Sequence, residues 1–188
     1  MAQRPEKLIL WRRMDGPGHD ACGLWRSDDE WRLRGTAVFV LAGSPCWLDY
    51  AVGGDRPWRT RSASVTGWLG RQAVDLRITV RDRRWLLNGE HQPAAEGCID
   101  VDFSFTPATN LIPLRRLDLP VGGEAGAAAA WLDFPDPQLV RLEQVYRRVA
   151  DTAYDYRVPA QGFAALLQVS GAGFVTRYGD LWESEARC

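Results

Sequence analysis

The 188-residue chain is 46% hydrophobic and 25% charged, with 23 Lys and Arg against 24 Asp and Glu and a net charge of -1. A chain of this length and composition can bury a substantial core without metals or disulfides, which excludes a disordered tail, a collagen-like repeat and a membrane-spanning protein of helices. The balanced charge also leaves no overall basic field to attract a nucleic-acid backbone.

In chain order, the first apolar run is 8–11, closed by Arg12 and Arg13. It is shorter than a signal-peptide core, and no later stretch approaches the roughly 20 residues of a spanning helix, so a cytoplasmic protein is expected. Residues 31–41 and 46–52 read as extended runs around Ala42-Gly43-Ser44-Pro45, and Pro57 precedes another over 58–66. Val74, Leu76, Ile78 and Val80 alternate with Asp75, Arg77, Thr79 and Arg81, the period of two that marks a half-buried strand. Asp82-Arg83 turns this strand toward 84–87, and Asn88-Gly89 suits the positive φ angles of a tight turn. Further extended runs are expected over 99–105, 111–119 and 128–133, and over 162–178 with a break at Gly171-Ala172-Gly173. Residues 138–158 carry two patterns: Leu139, Leu142, Val145 and Val149 share a helical face, whereas Val140, Tyr146, Tyr154 and Tyr156 favour two strands turning at Ala150-Asp151. The strand reading is preferred. The periodicity predicts an all-β sheet, sandwich or barrel forming one domain over 1–188, with the small-residue stretch 122–130 as a connection between two sheet regions.

Lys7 is the only lysine, so the remaining positive charge sits on arginine, whose rigid fork pairs bidentately with carboxylates and phosphates. GC-rich coding alone produces such a bias. Nine tryptophans supply broad apolar faces suited to cores, interfaces and ligand platforms. The densest chemistry lies in 97–119. Ile99, Val101, Phe103 and Phe105 should face one side of a strand, and Cys98, Asp100, Asp102 and Ser104 the other. A hairpin turning about Ala108 would set Asp100 opposite Arg116, with Arg115 on the apolar side. The plain reading of these charges is a cross-strand ion pair contributing about 0.2 to 1 kcal/mol. The functional one is a cavity wall that binds the hydroxyls of a polar head group, with Arg115 meeting an anionic or carbonyl group. Two carboxylates about 5 to 9.5 Å apart also fit glycoside hydrolysis, a weaker reading here because neighbouring positions on one strand reach that spacing by accident.

Arg59 and Arg61 should share a strand face beside Trp58, as solvated edge charges or as ligand forks next to an aromatic platform. Cys22, Cys46, Cys98 and Cys188 show no metal-ligand or disulfide spacing, and His19 and His91 are expected in loops. No Gly-rich phosphate cradle is present, so neither a cofactor nor a metal is expected.

The run Gly97-Cys98-x-Asp100-x-Asp102, continued by Thr106-Pro107-x-Thr109-Asn110-x-x-Pro113-x-Arg115-Arg116-Leu117, resembles the bacterial glycolipid-binding protein family. Trp58-x-x-Arg61 and Trp85-x-x-Asn88-Gly89 precede it, and Gln144-x-Tyr146, Tyr154-x-Tyr156 and Gly173-Phe174-Val175-x-x-Tyr178 follow. The turn before Gly171 departs from the pattern, with Ser170 after Val169 where such sequences tend to carry aspartate, which weighs against a ligand role for that turn. The resemblance implies a mainly antiparallel sheet curved into an incompletely closed β-barrel with few helices, similar to bacterial lipid and lipoprotein carriers, with an inner cavity suited to an acyl chain or glycolipid.

The expected function is therefore non-catalytic binding of an amphipathic small molecule, a glycolipid among the candidates. Arg59, Arg61, Asp100, Asp102, Asn110, Arg115 and Arg116 are the candidate polar contacts, with Trp58 and Trp85 as platforms. The alternatives are an enzyme acting on a lipid or sugar conjugate through Asp100 or Asp102, and a module whose Trp and Arg clusters meet a protein partner.

Overall fold

A computed structural model describes residues 4–188. Eight strands precede the central segment: β1 (Lys7–Arg13), β2 (Gly18–Arg26), β3 (Glu30–Leu41), β4 (Ser44–Asp55), β5 (Thr60–Leu69), β6 (Gln72–Arg81), β7 (Arg84–Leu87) and β8 (Glu90–His91). Then come β9 (Asp100–Phe103), the helix α1 (Leu111–Leu117), β10 (Glu124–Leu132), β11 (Leu139–Ala150), β12 (Ala153–Val158), β13 (Phe163–Val169), β14 (Val175–Tyr178) and β15 (Trp182–Arg187).

All the strands form one sheet in the order β8-β7-β6-β5-β4-β3-β2-β1-β15-β14-β13-β12-β11-β10-β9. Neighbours are antiparallel except β9 and β10, and β1 against β15 joins the two halves. The sheet does not close into a barrel. Its last strand instead leans against β5, where the Thr60 amide donates to the Ile99 carbonyl at 3.2 Å and the Thr60 hydroxyl accepts from the Val101 amide at 3.1 Å.

The alternation that predicted the strands also builds the core. On β4, Cys46, Leu48, Tyr50 and Val52 point inward; on β6, Val74, Leu76 and Ile78 do the same. Asp82-Arg83 and Asn88-Gly89 take positive φ, the conformation whose twist matches the two-residue turns between strands. Residues 138–158 are two strands, β11 and β12, turning at 151–152.

Five expectations are corrected. Residues 111–117 are helical, so no hairpin forms about Ala108 and β9 pairs in parallel with β10. The physical reason is Pro113. Within the first turn of a helix its missing N–H costs nothing, whereas inside a sheet it would break a ladder bond. Asp118, at φ 41°, ends the helix in the left-handed region. Ile99 does not share the buried face of Val101, Phe103 and Phe105 but is 39% exposed, ahead of the strand proper. The stretch 122–130 is mostly β10, whose Ala127 packs with Leu114 and Tyr146. Trp58 lies in the turn before β5, at φ 63°, rather than in that strand. His19 and His91 sit in β2 and β8.

The helix packs on the inward face of the sheet. Leu111 and Ile112 join the core made with the inward residues of β2 to β7, and Leu114 joins a second core with Tyr146, Tyr154 and Leu167. Phe103, Phe105 and Trp85 complete this packing. The interior where the resemblance places a ligand cavity is thus occupied by α1 and aromatic rings.

Candidate functional site

The segment leading into α1 is pinned from both sides by buried polar groups. On one side, Asp20 accepts from the Tyr50 hydroxyl at 2.9 Å and from the Thr106 hydroxyl, which itself accepts from the Ala108 amide. On the other, Asp102 accepts from Thr109 Oγ1 at 2.9 Å and Gln144 Nε2 at 2.5 Å, while Asn110 Nδ2 donates to the Tyr146 hydroxyl at 3.0 Å. Arg116 closes the set with a two-pronged contact to Asp100 at 2.9 and 2.5 Å. Each buried polar atom here has a partner, as burial in low dielectric requires.

The charges of this network follow from its surroundings. Burial lifts Asp20 to about 7, against the pull of its two hydroxyl donors. Burial likewise raises Asp102, opposed by Thr109 and Gln144. The Asp100 hydrogen bonds raise Arg116 and hold it charged, and the forked geometry is that of an ionised pair.

Five of the nine candidate residues are engaged within the protein, with Trp85, Asp100 and Asn110 buried and Asp102 and Arg116 partly buried. Asp100, Asp102, Asn110 and Arg116 satisfy one another or their neighbours, and Trp85 is fully buried with its indole N–H donating to the Cys98 carbonyl at 3.1 Å. The Asp100–Arg116 pair expected from the sequence is present, but it runs from strand to helix. Arg61 pairs with Asp55 at 2.6 Å, and the Arg59 amide donates to the same carboxylate. Together with Arg83, Val80 and Ile99, Arg59 and Arg61 border a pocket of about 540 Å³ at the seam between β5 and β9.

Trp58 and Arg115 belong to a different place. Trp58 stacks on Trp31 with ring centroids 5.0 Å apart, and the Arg115 guanidinium lies 5.9 Å from its ring. Arg115 Nε and Nη2 donate to the Ala172 carbonyl at 3.1 and 2.6 Å, tying the end of α1 to the β13–β14 turn. Gly173 makes this approach feasible. Its φ is +88°, and a Cβ there would stand 2.8 Å from Leu111 Cδ1 and 3.0 Å from Arg115 Nε.

Beside this junction opens a pocket of about 580 Å³ between β1, β2, the end of β15 and the β13–β14 turn. Leu8, Ile9, Leu24, Ala172 and Phe174 supply its apolar wall, and Glu6, Lys7, Arg26, Arg115 and Arg187 its charged rim. Volume and lining fall in the range of small-molecule sites. Of the nine candidates only Arg115 lines this pocket, with Trp58 just behind it. The remaining lining residues were not anticipated, because β1, β2 and β15 come together only through the joining of the two half-sheets. The turn 170–172, discounted from its sequence, forms one wall.

On the outer face, Val38, Trp47 and Trp68 stand opposite one another across β3, β4 and β5, each more than 40% exposed. Among the described residues no helix is long and apolar enough to cross a membrane.

A sequence profile of the family described as "Putative glycolipid-binding" matches residues 8–184. Among solved structures, a DUF1089-family protein from Pseudomonas aeruginosa is similar, with a TM-score of 0.74 and 29% identity over 87% of this chain and 91% of that one. No curated protein matches the chain.

Proposed function

The chain belongs to the glycolipid-binding family, and we propose that it holds an amphipathic small molecule, a glycolipid in the sense of that family's description, without altering it chemically. The observation that carries this reading is the pocket of about 580 Å³, where an apolar wall from Leu8 to Phe174 meets a polar rim that includes the half-buried Arg115. Such a wall takes hydrocarbon at about 0.8 kcal/mol per buried methylene, and the rim takes a head group.

The engaged carboxylates support a binding role over a catalytic one. Asp100 and Asp102 are occupied by Arg116, Thr109 and Gln144 and line none of the pockets described above. A general acid or nucleophile must reach its substrate's reacting atom. Native mass spectrometry of freshly purified protein tests the proposal: a co-purifying lipid mass is expected, and it should be reduced or absent in Gly171→Trp, which places a bulky side chain on the pocket lining. An added Cβ at Gly171 meets no atom within 4 Å, so the substitution begins without a backbone clash. A bound mass that persists unchanged in Gly171→Trp would count against this site.

A further inference from the structure

We propose that the head group taken by this pocket is anionic, a phosphate-class monoester or its like, and that Arg115 is the residue that selects it. The inference rests on the pocket being the amphiphile site and concerns the chemistry of its rim.

The rim charges do not balance. Four cationic side chains, Lys7, Arg26, Arg115 and Arg187, line the pocket, against the backbone carboxylate of Cys188 and one acidic side chain, that of Glu6. The Glu6 carboxylate is already engaged: Arg26 grips it with two bonds of 2.6 and 2.5 Å. Lys7, Arg115 and Arg187 are left facing the pocket. Lys7 and Arg187 are exposed and solvated, but Arg115 is not. Its guanidinium is half-buried at the end of α1, donates only to a neutral carbonyl and has no ion-pair partner among the described residues.

Arg115 thus sits where a cation is costly. Burial is the largest influence lowering its pKa, and repulsion from Arg26 acts in the same direction, offset in part by the nearby Glu6 and Asp118 carboxylates. A half-buried guanidinium held in place by a backbone carbonyl and by Gly173, with another arginine nearby, is stabilised by an anion entering the pocket. Charge-assisted bonds from a pre-oriented fork are about twice as strong as neutral ones. A neutral sugar head would leave the charge surplus uncompensated. The apolar wall of Leu8, Ile9, Leu24 and Phe174 adjoins the same rim, so an anion carrying a tail fits better than a free one.

The test is calorimetric titration of three probes, with the amphiphiles kept below micelle-forming concentrations: monododecyl phosphate, dodecyl maltoside with the same tail and a neutral head, and inorganic phosphate. Monododecyl phosphate should bind at least about tenfold more tightly than the maltoside, the scale expected of hydrogen bonds to a charged group. Inorganic phosphate should bind far more weakly than either amphiphile. Arg115→Gln should remove most of the preference, lowering alkyl-phosphate affinity far more than maltoside affinity, and Gly171→Trp should weaken both amphiphiles. Should Arg115→Gln fail to fold, the Lys7→Gln/Arg187→Gln double variant decides, because both side chains are exposed and their loss should shrink the same preference severalfold.

Equal affinity for the two amphiphiles, both lost in Gly171→Trp, overturns the anionic head and leaves the pocket standing. Inorganic phosphate binding as tightly as the alkyl phosphate means that a free anion is the ligand and also overturns the proposal. Amphiphile binding indifferent to Gly171→Trp refutes the pocket itself.

Discussion

Asp20→Asn replaces a carboxyl that must ionise inside the protein with an amide of the same shape and no charge. Asp20 is fully buried, with the Tyr50 and Thr106 hydroxyls as hydrogen-bond donors and no ion-pair partner among the described residues. Burial moves its pKa from 3.8 to about 7. A folded-state pKa above the unfolded one means that the native protein binds this proton more tightly. The stabilisation is therefore complete below about pH 4 and is lost as pH rises through 7. At about 1.4 kcal/mol per pH unit, the loss approaches about 4 kcal/mol by pH 8. The amide removes that dependence, at a cost of about 1 kcal/mol for less well matched hydrogen bonds. Urea unfolding of both proteins between pH 4.5 and 8.5 reads the difference directly. The wild type should lose stability relative to Asp20→Asn as pH rises, with the variant the more stable by about 3 kcal/mol at pH 8. Parallel stability curves would refute the reasoning and show that Asp20 ionises without penalty.

Two further substitutions follow from the same geometry. Asp100→Asn leaves Arg116 without its counter-charge in a largely buried site, which should cost about 3 to 5 kcal/mol in denaturant unfolding; the Asp100→Asn/Arg116→Met double variant should recover a large part of that loss. Gly173→Ala forces a Cβ against Leu111 and Arg115 at a positive φ, so its melting temperature should fall, with about 1 to 3 kcal/mol lost. Because the clash displaces Arg115, alkyl-phosphate affinity should fall with it.

Much of the sheet was legible in the sequence because period-two alternation is a local property: Val74 to Val80 and Cys46 to Val52 declare their inward faces residue by residue. The helix at 111–117 departs from the extended run its apolar residues suggest, and Pro113 is the local signal against a central strand there. Asp100 and Arg116 were recognisable as partners by charge, but the geometry of their meeting depends on β9 pairing in parallel with a strand nearly thirty residues onward. The pins around Thr106 were invisible for the same reason. Asp20 lies 86 positions from Thr106, and Arg115 lies 57 from Ala172. Local pattern carries strand, face and turn, whereas the pocket arises where β1 meets β15, a pairing between the two ends of the chain.

The central claim, that an amphiphile sits at the rim beside α1 and not within the sheet's interior or at the β5–β9 seam, is tested most directly by paramagnetic mapping. A nitroxide-bearing alkyl phosphate added to isotope-labelled protein should broaden the NMR signals of Leu8, Leu24, Ala172 and Phe174, sparing those of Trp85, Val80 and Ile99. Broadening centred on Arg59, Arg61 and Ile99, or spread through the core around Phe103, would contradict the account.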